Sequence, residues 1–307
     1  MRLPPPIRWR KHSQFVVRLS KLESSMDNEQ LSREQSAMSD EFSFKAFSEH
    51  AFYKRVNQVL VDRAHLERGW TVVDVACGSG AITALILEKI RGARDAMVIG
   101  VDMSATAIRE ASQKVSDVRD AVVDFVQTQA EEMSASIKRA ADAVVFCNGI
   151  HYIENKHDLM QEVYKTLKPG GVFAFNTGFF DGALPPETVK YYRRWMMKSL
   201  RKLRKEHNLK VEHSKVESRK QLTADDYVQL LEEDGFEIKS LEIYPGEVTE
   251  QGWIDLSRFS DFIAGALPGV PLATASEVLV QSLKETFEEM NVTVWPRNWL
   301  TVVAARP

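Results

Sequence analysis

The sequence predicts an α/β protein built on a doubly wound, mostly parallel sheet. Short β-branched apolar runs alternate with helical segments between residues 72 and 176, and strands separated by helices are typical of parallel sheets with helices on both faces. A glycine turn joins the first of these strands directly to the first helix. Two further strands near the end of the chain are separated by a long apolar segment. Ligands of such sheets bind where the strands end, so the residues that follow each strand are the candidate site residues.

The composition excludes several classes of protein. The 307 residues are 44% hydrophobic and 27% charged, with a formal net charge of −3. This length can bury one large core, or a core with a lid, and no apolar run approaches the length of a membrane span. The balanced charge gives no reason to expect nucleic acid as a partner. Cys77 and Cys147 are the only cysteines, so we expect no disulfide framework, no metal site and a reducing, cytoplasmic location.

Residues 1–38 differ from the rest of the chain, because prolines and basic residues are frequent there and no acidic residue precedes Glu23. An acid-poor, arginine-containing segment with helically spaced apolar residues is one form of organelle transit peptide. The same composition fits a disordered tail, or an upstream extension of a protein that starts at Met26. Organelle targeting is therefore the alternative to a cytoplasmic location.

The predicted core covers residues 39–178 and 222–307. It begins with amphipathic helices between residues 41 and 66, which we expect to cover a sheet edge or close the ligand site. The apolar pattern then predicts strands at 72–75, 97–101, 121–126, 143–147, 172–176, 236–244 and 299–305. Helices are predicted at 81–90, 105–116, 157–167 and 223–233, the last with Thr223 as its N-cap.

Two segments, 179–221 and 246–297, interrupt this core as a predicted helical cap and lid. The first contains a helix over 187–207 with apolar residues, including Leu200, on one side and eight lysines and arginines on the other. Such a charged face is either simply solvated or attracts an anionic group or membrane surface. The second is rich in leucine and aromatic residues, which suits a pocket for an apolar small molecule and equally suits an insertion that packs down.

The motif that carries chemistry is the glycine turn after the first predicted strand, where Asp74, Ala76, Gly78 and Gly80 alternate with single residues. Glycine has no Cβ and tolerates positive φ, so backbone N–H groups of this loop can approach an anionic or zwitterionic ligand. A dinucleotide fingerprint requires a third glycine, and Thr83 stands at that position. The spacing therefore disfavours a nicotinamide cofactor.

This acidic-x-small-x-Gly-x-Gly pattern resembles the first motif of class I S-adenosylmethionine-dependent methyltransferases, with Ala76 in place of the commonest glycine. The resemblance extends over about residues 52–244 and the last strand. It implies a Rossmann-like fold of seven strands whose last two form an antiparallel pair, and it implies the cofactor S-adenosyl-L-methionine. The overall shape resembles small-molecule methyltransferases that act on quinones, sterols and natural products.

The resemblance also implies roles for individual residues of the glycine turn. Ala76, Cys77, Gly78 and Gly80 would contact the cofactor. Asp74 would face its methionine end, where a carboxylate suits an ammonium group.

Residues after the other strands complete the implied cofactor site. Asp102 ends the second strand and would accept hydrogen bonds from both ribose hydroxyls, with Met103 beside it. Gln129 and Ala130 follow the third strand, where an amide can pair with adenine. Asn148 follows the fourth strand and would line the methionine moiety.

His151 follows the fourth strand at the ligand edge, and it is the candidate general base because imidazole titrates near neutral pH. Tyr152 is the alternative group. A simpler interpretation is that His151 only orients the substrate. The sequence contains no Asn-Pro-Pro-aromatic tetrapeptide, which the resemblance associates with methylation of nucleic-acid bases and of glutamine, so those substrates are disfavoured.

The resulting prediction is an enzyme that transfers a methyl group to O or C of a small, lipid-like or secondary-metabolite acceptor, by in-line displacement at the sulfonium. We expect a largely hydrophobic acceptor, with an anionic group as an option, and no nucleic-acid partner. The basic cap is compatible with contact at a membrane surface. The alternatives are a catalytically inactive S-adenosylmethionine-binding protein and, with weaker support, a NAD-dependent oxidoreductase.

Overall fold

The computed structural model describes residues 42–212 and 220–307, so the predictions for residues 1–38 lie outside the described residues. The described chain forms a seven-stranded sheet in the order β3-β2-β1-β4-β5-β7-β6. Strands β1 to β5 run parallel, and β7 lies antiparallel between β5 and β6. The predicted doubly wound sheet with an antiparallel pair at its end is confirmed. The strands are β1 Thr71–Val75, β2 Met97–Asp102, β3 Val122–Gln127, β4 Ala141–Cys147, β5 Leu167–Thr177, β6 Glu237–Thr249 and β7 Val294–Ala305.

Helices cover both faces of the sheet because its central strands are apolar on both sides, and every residue of β1 is buried. Helix α8 has the predicted N-cap, since the Thr223 hydroxyl accepts from the Asp226 N–H (3.0 Å) and the Asp226 carboxylate accepts from the Thr223 N–H (2.7 Å). In chain order the helices are α1 Lys45–Ser48, α2 Ala51–Arg63, α3 Ala81–Ile90, α4 Ala105–Lys114, α5 Met133–Ser136, α6 Lys156–Thr166, α7 Pro186–Glu206, α8 Ala224–Glu233, α9 Glu250–Leu256, α10 Ser260–Ala266 and α11 Leu272–Met290.

Three strands are longer than the apolar pattern predicts. Strand β5 starts at Leu167, before the turn at residues 168–171, and a register shift against β4 absorbs the extra residues. Strands β6 and β7 stay paired as far as Thr249 and Val294, beyond the predicted ends at 244 and 299. Pro296 conceals the start of β7, because proline is normally confined to strand edges and bulges. The added length forms an arm that packs into the lid.

The cap and lid segments pack against each other around an apolar core that they share with the N-terminal helices, including Phe47 and Tyr53. Helix α7 lies against α11, where the Trp195 indole N–H donates to the Leu279 carbonyl (2.8 Å). The rings of Trp195, Trp253 and Trp295 contact each other with centroids 5.3 to 5.9 Å apart. Aromatic side chains bury a large area and prefer such tilted contacts. The two segments therefore form one packed unit.

Some cations of α7 form ion pairs within this unit. Lys198 Nζ lies 2.9 Å from the Glu289 carboxylate, and Lys202 Nζ lies 2.9 Å from the Glu285 carboxylate. Both carboxylates belong to α11. Part of the predicted charged face is therefore engaged within the chain.

The apolar stripe of α7 is displaced from the predicted one. It follows Trp195, Ser199 and Leu203, so Leu200 lies off the stripe and is 42% exposed. The expectation that Leu200 belongs to the buried side is wrong. Across the part of the chain that the structure describes, no helix is long and apolar enough to cross a membrane.

Candidate active site

The glycine loop after β1 has a left-handed backbone at three positions. Ala76, Gly78 and Gly80 have φ values of 52°, 53° and 79°. A Cβ on Gly80 would lie 3.0 Å from both the Cα and the Cβ of Ala111, whereas a Cβ on Gly78 would meet nothing within 4 Å. Packing against α4 therefore requires glycine at position 80, and the space beside Gly78 is open to a ligand.

Asp102 connects this loop to the end of β2. Its carboxylate accepts from the Gly78 N–H (2.9 Å) and from the Ser104 N–H (2.8 Å). Ser104 is the cap of α4, because its hydroxyl accepts from the Ala107 N–H. Each carboxylate oxygen can accept more than one hydrogen bond, so Asp102 can also accept from ligand hydroxyls. The structure thus brings Asp102 and the glycine loop together, as the sequence predicts.

Asp74 is buried next to the start of α3. Its Oδ2 accepts from the Thr83 hydroxyl (2.6 Å). Burial raises the pKa of the Asp74 carboxyl to about 7, although the hydrogen bond from Thr83 opposes this shift. Its Oδ1 is buried and has no hydrogen-bond partner within the described chain. The hydrogen bond to Asp74 gives Thr83 a structural role at the position where a dinucleotide fingerprint has its third glycine. The Asp74 Oδ1 atom can accept a hydrogen bond from a donor such as an ammonium group.

Cys77 is a packed thiol. It is buried beside Gly100, where an added Cβ would lie 3.1 Å from the Cys77 Sγ, and its N–H donates to the Val101 carbonyl (3.0 Å). Burial raises the pKa of the Cys77 and Cys147 thiols above the usual value. Since the thiolate is the nucleophilic form, neither side chain is a candidate nucleophile at neutral pH.

The loop after β2 presents an exposed apolar side chain beside the end of β3. Met103 is 72% exposed, and the Gln127 side chain donates to the Met103 carbonyl (3.2 Å). Gln129 is exposed. Its backbone carbonyl accepts from the Glu132 N–H (3.1 Å), at the start of a short 3₁₀ helix that begins at Ala130. Gln129 and Ala130 are the residues that the sequence predicts here.

Asn148, after β4, is the centre of a hydrogen-bond network that sequence analysis missed. Asn57 Oδ1 accepts from the side-chain amides of Asn148 and Asn176, both at 3.0 Å. The Trp299 indole N–H donates to Asn148 Oδ1 (3.0 Å). The network holds Asn148, whose φ is 51°, between α2, β5 and β7. Asn57 is the residue that could have indicated this network, because it is a polar residue within the buried stripe of α2.

A cavity of about 290 Å³ lies at the carboxyl ends of β4 and β5, and β4 neighbours β1, which carries the glycine loop. Asn148, His151 and Gly178 form part of its wall on the sheet side. A volume near the lower end of the range for ligand pockets, with a mostly apolar lining, fits a small apolar molecule. The aromatic residues of the wall are Phe44, Phe47, Tyr53, Tyr152, Phe179, Tyr192, Phe259, Phe262 and Trp299.

His151 reaches this cavity from the short 3₁₀ helix after β4. Its Nδ1 lies 3.3 Å from the Thr177 hydroxyl, which accepts from the Phe179 N–H (3.0 Å) and can donate to the Phe179 carbonyl (3.3 Å). When Thr177 donates to Phe179, its oxygen accepts from Nδ1–H, and Nε2 is then the basic nitrogen. Tyr152 is 46% exposed, with its ring centroid 4.1 Å from that of His151.

Arg297 lies on the β7 arm and was not indicated by sequence analysis. Its Nη2 donates to the Gly178 carbonyl (2.6 Å), and the guanidinium carbon is 5.2 Å from the ring centroid of Trp253 and 5.8 Å from that of Trp299. Burial lowers the Arg297 pKa to about 10, so the side chain is protonated at neutral pH. Arg297 could have been noticed in the sequence, because it is the one charged residue of β7.

The cofactor that the resemblance implies fits these residues. S-adenosylmethionine carries an ammonium group, two ribose hydroxyls and an adenine ring. The open space beside Gly78, the unpartnered Asp74 Oδ1, the Asp102 carboxylate and the exposed Met103 side chain match these groups in charge and polarity. Residues 42–212 and 220–307 contain no group of three or more histidine, cysteine or acidic side chains that could hold a metal ion.

Part of the chain matches known proteins. Residues 73–173 match the family described as methyltransferase domain. The chain is 34% identical over 125 residues to trans-aconitate 2-methyltransferase of Azoarcus sp. strain BH72, covering 39% of this chain and 44% of that protein. It is 29% identical over 135 residues to a ubiquinone/menaquinone biosynthesis C-methyltransferase of Bartonella bacilliformis, covering 44% of this chain and 50% of that protein. The chain thus spans about half the length of these curated relatives.

A solved structure shares the fold. Phosphoethanolamine N-methyltransferase 2 of Haemonchus contortus, in complex with phosphomonomethylethanolamine and S-adenosylhomocysteine, matches with a TM-score of 0.52 and 17% identity, over 90% of this chain and 59% of that chain. The strand order, the glycine loop joined to Asp102 and the domain match agree with the family predicted from the sequence. Residues 73–173 therefore form a methyltransferase domain, similar to those of class I S-adenosylmethionine-dependent methyltransferases.

Proposed function

We propose that this protein transfers a methyl group from S-adenosyl-L-methionine to O or C of a small, largely apolar acceptor. The observation that carries the proposal is the aromatic cavity at the ends of β4 and β5, beside the strand that bears the glycine loop. Methyl transfer requires an acceptor that is aligned with the cofactor and shielded from water. A small molecule in this cavity would meet both requirements.

The residues that would hold the cofactor lie at neighbouring strand ends. Asp102 would accept from the ribose hydroxyls, and Asp74 Oδ1 would accept from the ammonium group. When bound, the cofactor supplies a methyl group on a sulfonium, which a nucleophile can displace in line. The remaining cofactor contacts in this proposal are Ala76, Cys77, Gly78 and Gly80 in the loop, Met103, Gln129 and Ala130 at the adenine, and Asn148 at the methionine.

We propose that segments 179–221 and 246–297 act as cap and lid on a core formed by residues 39–178 and 222–307. Tyr192 comes from the cap, and Phe259 and Phe262 come from the lid, to form one side of the cavity. Aromatic walls exclude water and provide a surface for apolar ligands. They support a lipid-like or secondary-metabolite acceptor.

His151 is proposed as the general base for a hydroxyl or an acidic carbon of the acceptor, with Tyr152 as the alternative. The Thr177 hydroxyl, 3.3 Å from Nδ1, favours the tautomer whose Nε2 is basic when it donates to Phe179. His151→Ala should reduce turnover and leave cofactor affinity unchanged. A retained bell-shaped pH profile in His151→Ala would show that this histidine only orients the acceptor.

The relatives support a small-molecule acceptor, since one is named for trans-aconitate and the other for ubiquinone and menaquinone biosynthesis. The proposal extends to an anionic group on the acceptor, for which the cavity offers Arg297. We also propose a cytoplasmic location, because Cys77 and Cys147 are both free thiols.

The experiment fills the cavity and leaves the glycine loop unchanged. Ala266 lines the cavity, whereas Ala264 is exposed on the same helix, so Ala266→Phe is the test and Ala264→Phe its matched control. Release of S-adenosylhomocysteine is measured with a panel of quinols, phenols, isoprenoid alcohols and aromatic acids. We expect turnover of at least one of them, reduced about tenfold or more in Ala266→Phe alone. Cofactor affinity should be the same in all three proteins.

Turnover that survives Ala266→Phe would contradict the assignment of the acceptor to this cavity. Cofactor binding without transfer to any compound would favour the catalytically inactive alternative. Binding of NAD in place of S-adenosylmethionine would favour the oxidoreductase.

A further inference from the structure

We propose that Arg297 anchors a carboxylate of the acceptor. The inference rests on the proposed function, because it assigns the cavity to the acceptor. It adds a recognition residue that no sequence motif indicates, and it defines the acceptor as an organic acid with an apolar body.

The Arg297 guanidinium is positioned but not neutralised by the protein. Within residues 42–212 and 220–307, its hydrogen bond is the donation from Nη2 to the Gly178 carbonyl (2.6 Å), and no carboxylate forms an ion pair with it. Asp261 also lines this cavity. The guanidinium therefore has no ion-pair partner among the described residues.

Such a charge is costly in an aromatic environment unless it is paired. The rings of Trp253 and Trp299, at 5.2 and 5.8 Å, offset part of the cost through cation–π contacts. Gly178 uses one of the five N–H donors of the guanidinium. Because Arg297 is part of the cavity wall, its other donors are available to a ligand there, and an anion would complete the pair.

The surroundings favour a carboxylate over a phosphate. A planar guanidinium forms two parallel hydrogen bonds with a carboxylate. Among the described residues of the cavity wall, Arg297 is the one lysine or arginine and Asp261 the one acidic residue, so the wall lacks the second cation that would favour a phosphate dianion. The aromatic wall and the volume of about 290 Å³ then leave room for a small apolar body beside it.

The experiment compares organic acids with their amides, which have nearly the same shape and no charge. Calorimetry in the presence of S-adenosylhomocysteine measures binding of phenylpropionate against phenylpropionamide, and of octanoate against octanamide. We expect each acid to bind about tenfold or more tightly than its amide. Arg297→Met should abolish the difference, and Arg297→Lys should keep part of it. Arg193→Met, on the exposed side of α7, is the matched control and should keep all of it.

Equal affinities of acid and amide for the wild-type protein, absence of acid binding, or a preference that persists in Arg297→Met would each overturn the inference. Circular dichroism establishes whether Arg297→Met is folded. If Arg297→Met does not fold, the inference is tested by the preference of the wild-type protein for acids over amides and by the reduced preference expected in Arg297→Lys. Cofactor titration and turnover are measured separately. Turnover of neutral acceptors without a preference for acids would contradict the role of Arg297 and leave the proposed methyl transfer intact. A preference for acids that depends on Arg297, in a protein that does not bind S-adenosylmethionine, would support the carboxylate site and contradict the proposed methyl transfer.

Discussion

Two regions meet at the carboxyl end of the sheet and are built in different ways. The cofactor edge, which consists of residues 74–80, Asp102 and Met103, is formed by short stretches at the ends of β1 and β2. A hydrogen bond from the Gly78 N–H to Asp102 joins them. The acceptor cavity takes its wall from side chains between Phe44 and Trp299. Changes at the edge should therefore act through short-range contacts, whereas changes at the cavity should act through long-range packing and networks.

The largest effect is expected from Gly80→Ala at the edge. The substitution places an L-residue at a φ of 79° and brings its Cβ to 3.0 Å from Ala111. The left-handed conformation and the close contact together should lower the free energy of unfolding by about 2 to 5 kcal/mol, measured by urea denaturation. Gly78→Ala is the control, since its Cβ has open space. It should cost about 1 kcal/mol and weaken cofactor binding. Equal destabilisation by both would contradict the packing role of Gly80.

The next largest effect is expected at the cavity, from Asn57→Ala. This change removes the acceptor of the Asn148 and Asn176 amides, each at 3.0 Å, and leaves two partly or fully buried donors unpaired. The expected loss of stability is about 2 to 4 kcal/mol. Arg55→Ala, exposed on the same helix, should change stability by less than about 0.5 kcal/mol. A similar result for both variants would mean that the network does not hold Asn148.

A pH experiment examines the buried carboxylate of the edge. Burial raises the Asp74 pKa from 3.8 to about 7. The native state then keeps a proton that the unfolded chain releases, so stability falls as pH rises through this range and levels off above the folded pKa. From about pH 5 to about pH 7, the free energy of unfolding should fall by about 2 kcal/mol relative to Asp74→Asn. Urea denaturation of both proteins measures this, and a difference that is independent of pH would contradict a raised pKa.

The smallest effect is expected on the outside of the lid. Glu285→Ala removes the partly exposed ion pair with Lys202 at 2.9 Å. Exposed pairs contribute about 0 to 1 kcal/mol, and salt screens them. Thermal unfolding should show a small loss at low salt and less at high salt. A large loss that persists at high salt would mean that the charges, rather than the tryptophan core, hold cap and lid together.

The difference between the cofactor edge and the acceptor cavity also explains which residues could be predicted from the sequence. The strand order and the positions of Gly78, Gly80 and Asp102 follow from local apolar patterns, because ligand residues of parallel sheets come directly after strands. Arg297 bonds to Gly178 across a separation of 119 residues, and Asn57 bonds to Asn148 across 91 residues. No local pattern contains such contacts, since only the folded chain brings the partners together.

The β7 arm shows the same limit. Because Pro296 interrupts the apolar pattern, the sequence predicts a strand that begins at residue 299 and places Arg297 in the lid segment. His151 was found by the strand-end rule, and the structure places it on the cavity wall. Its role as a base stays a prediction.

The most direct test of the cofactor edge is calorimetric titration with S-adenosylmethionine and, separately, with NAD. Asp102→Ala is compared with Asp124→Ala, an exposed carboxylate on β3. We predict a dissociation constant for S-adenosylmethionine that is about micromolar, weakened about tenfold or more in Asp102→Ala and unchanged in Asp124→Ala, with no binding of NAD. Binding of NAD in place of S-adenosylmethionine, or equal affinity in Asp102→Ala, would contradict the account.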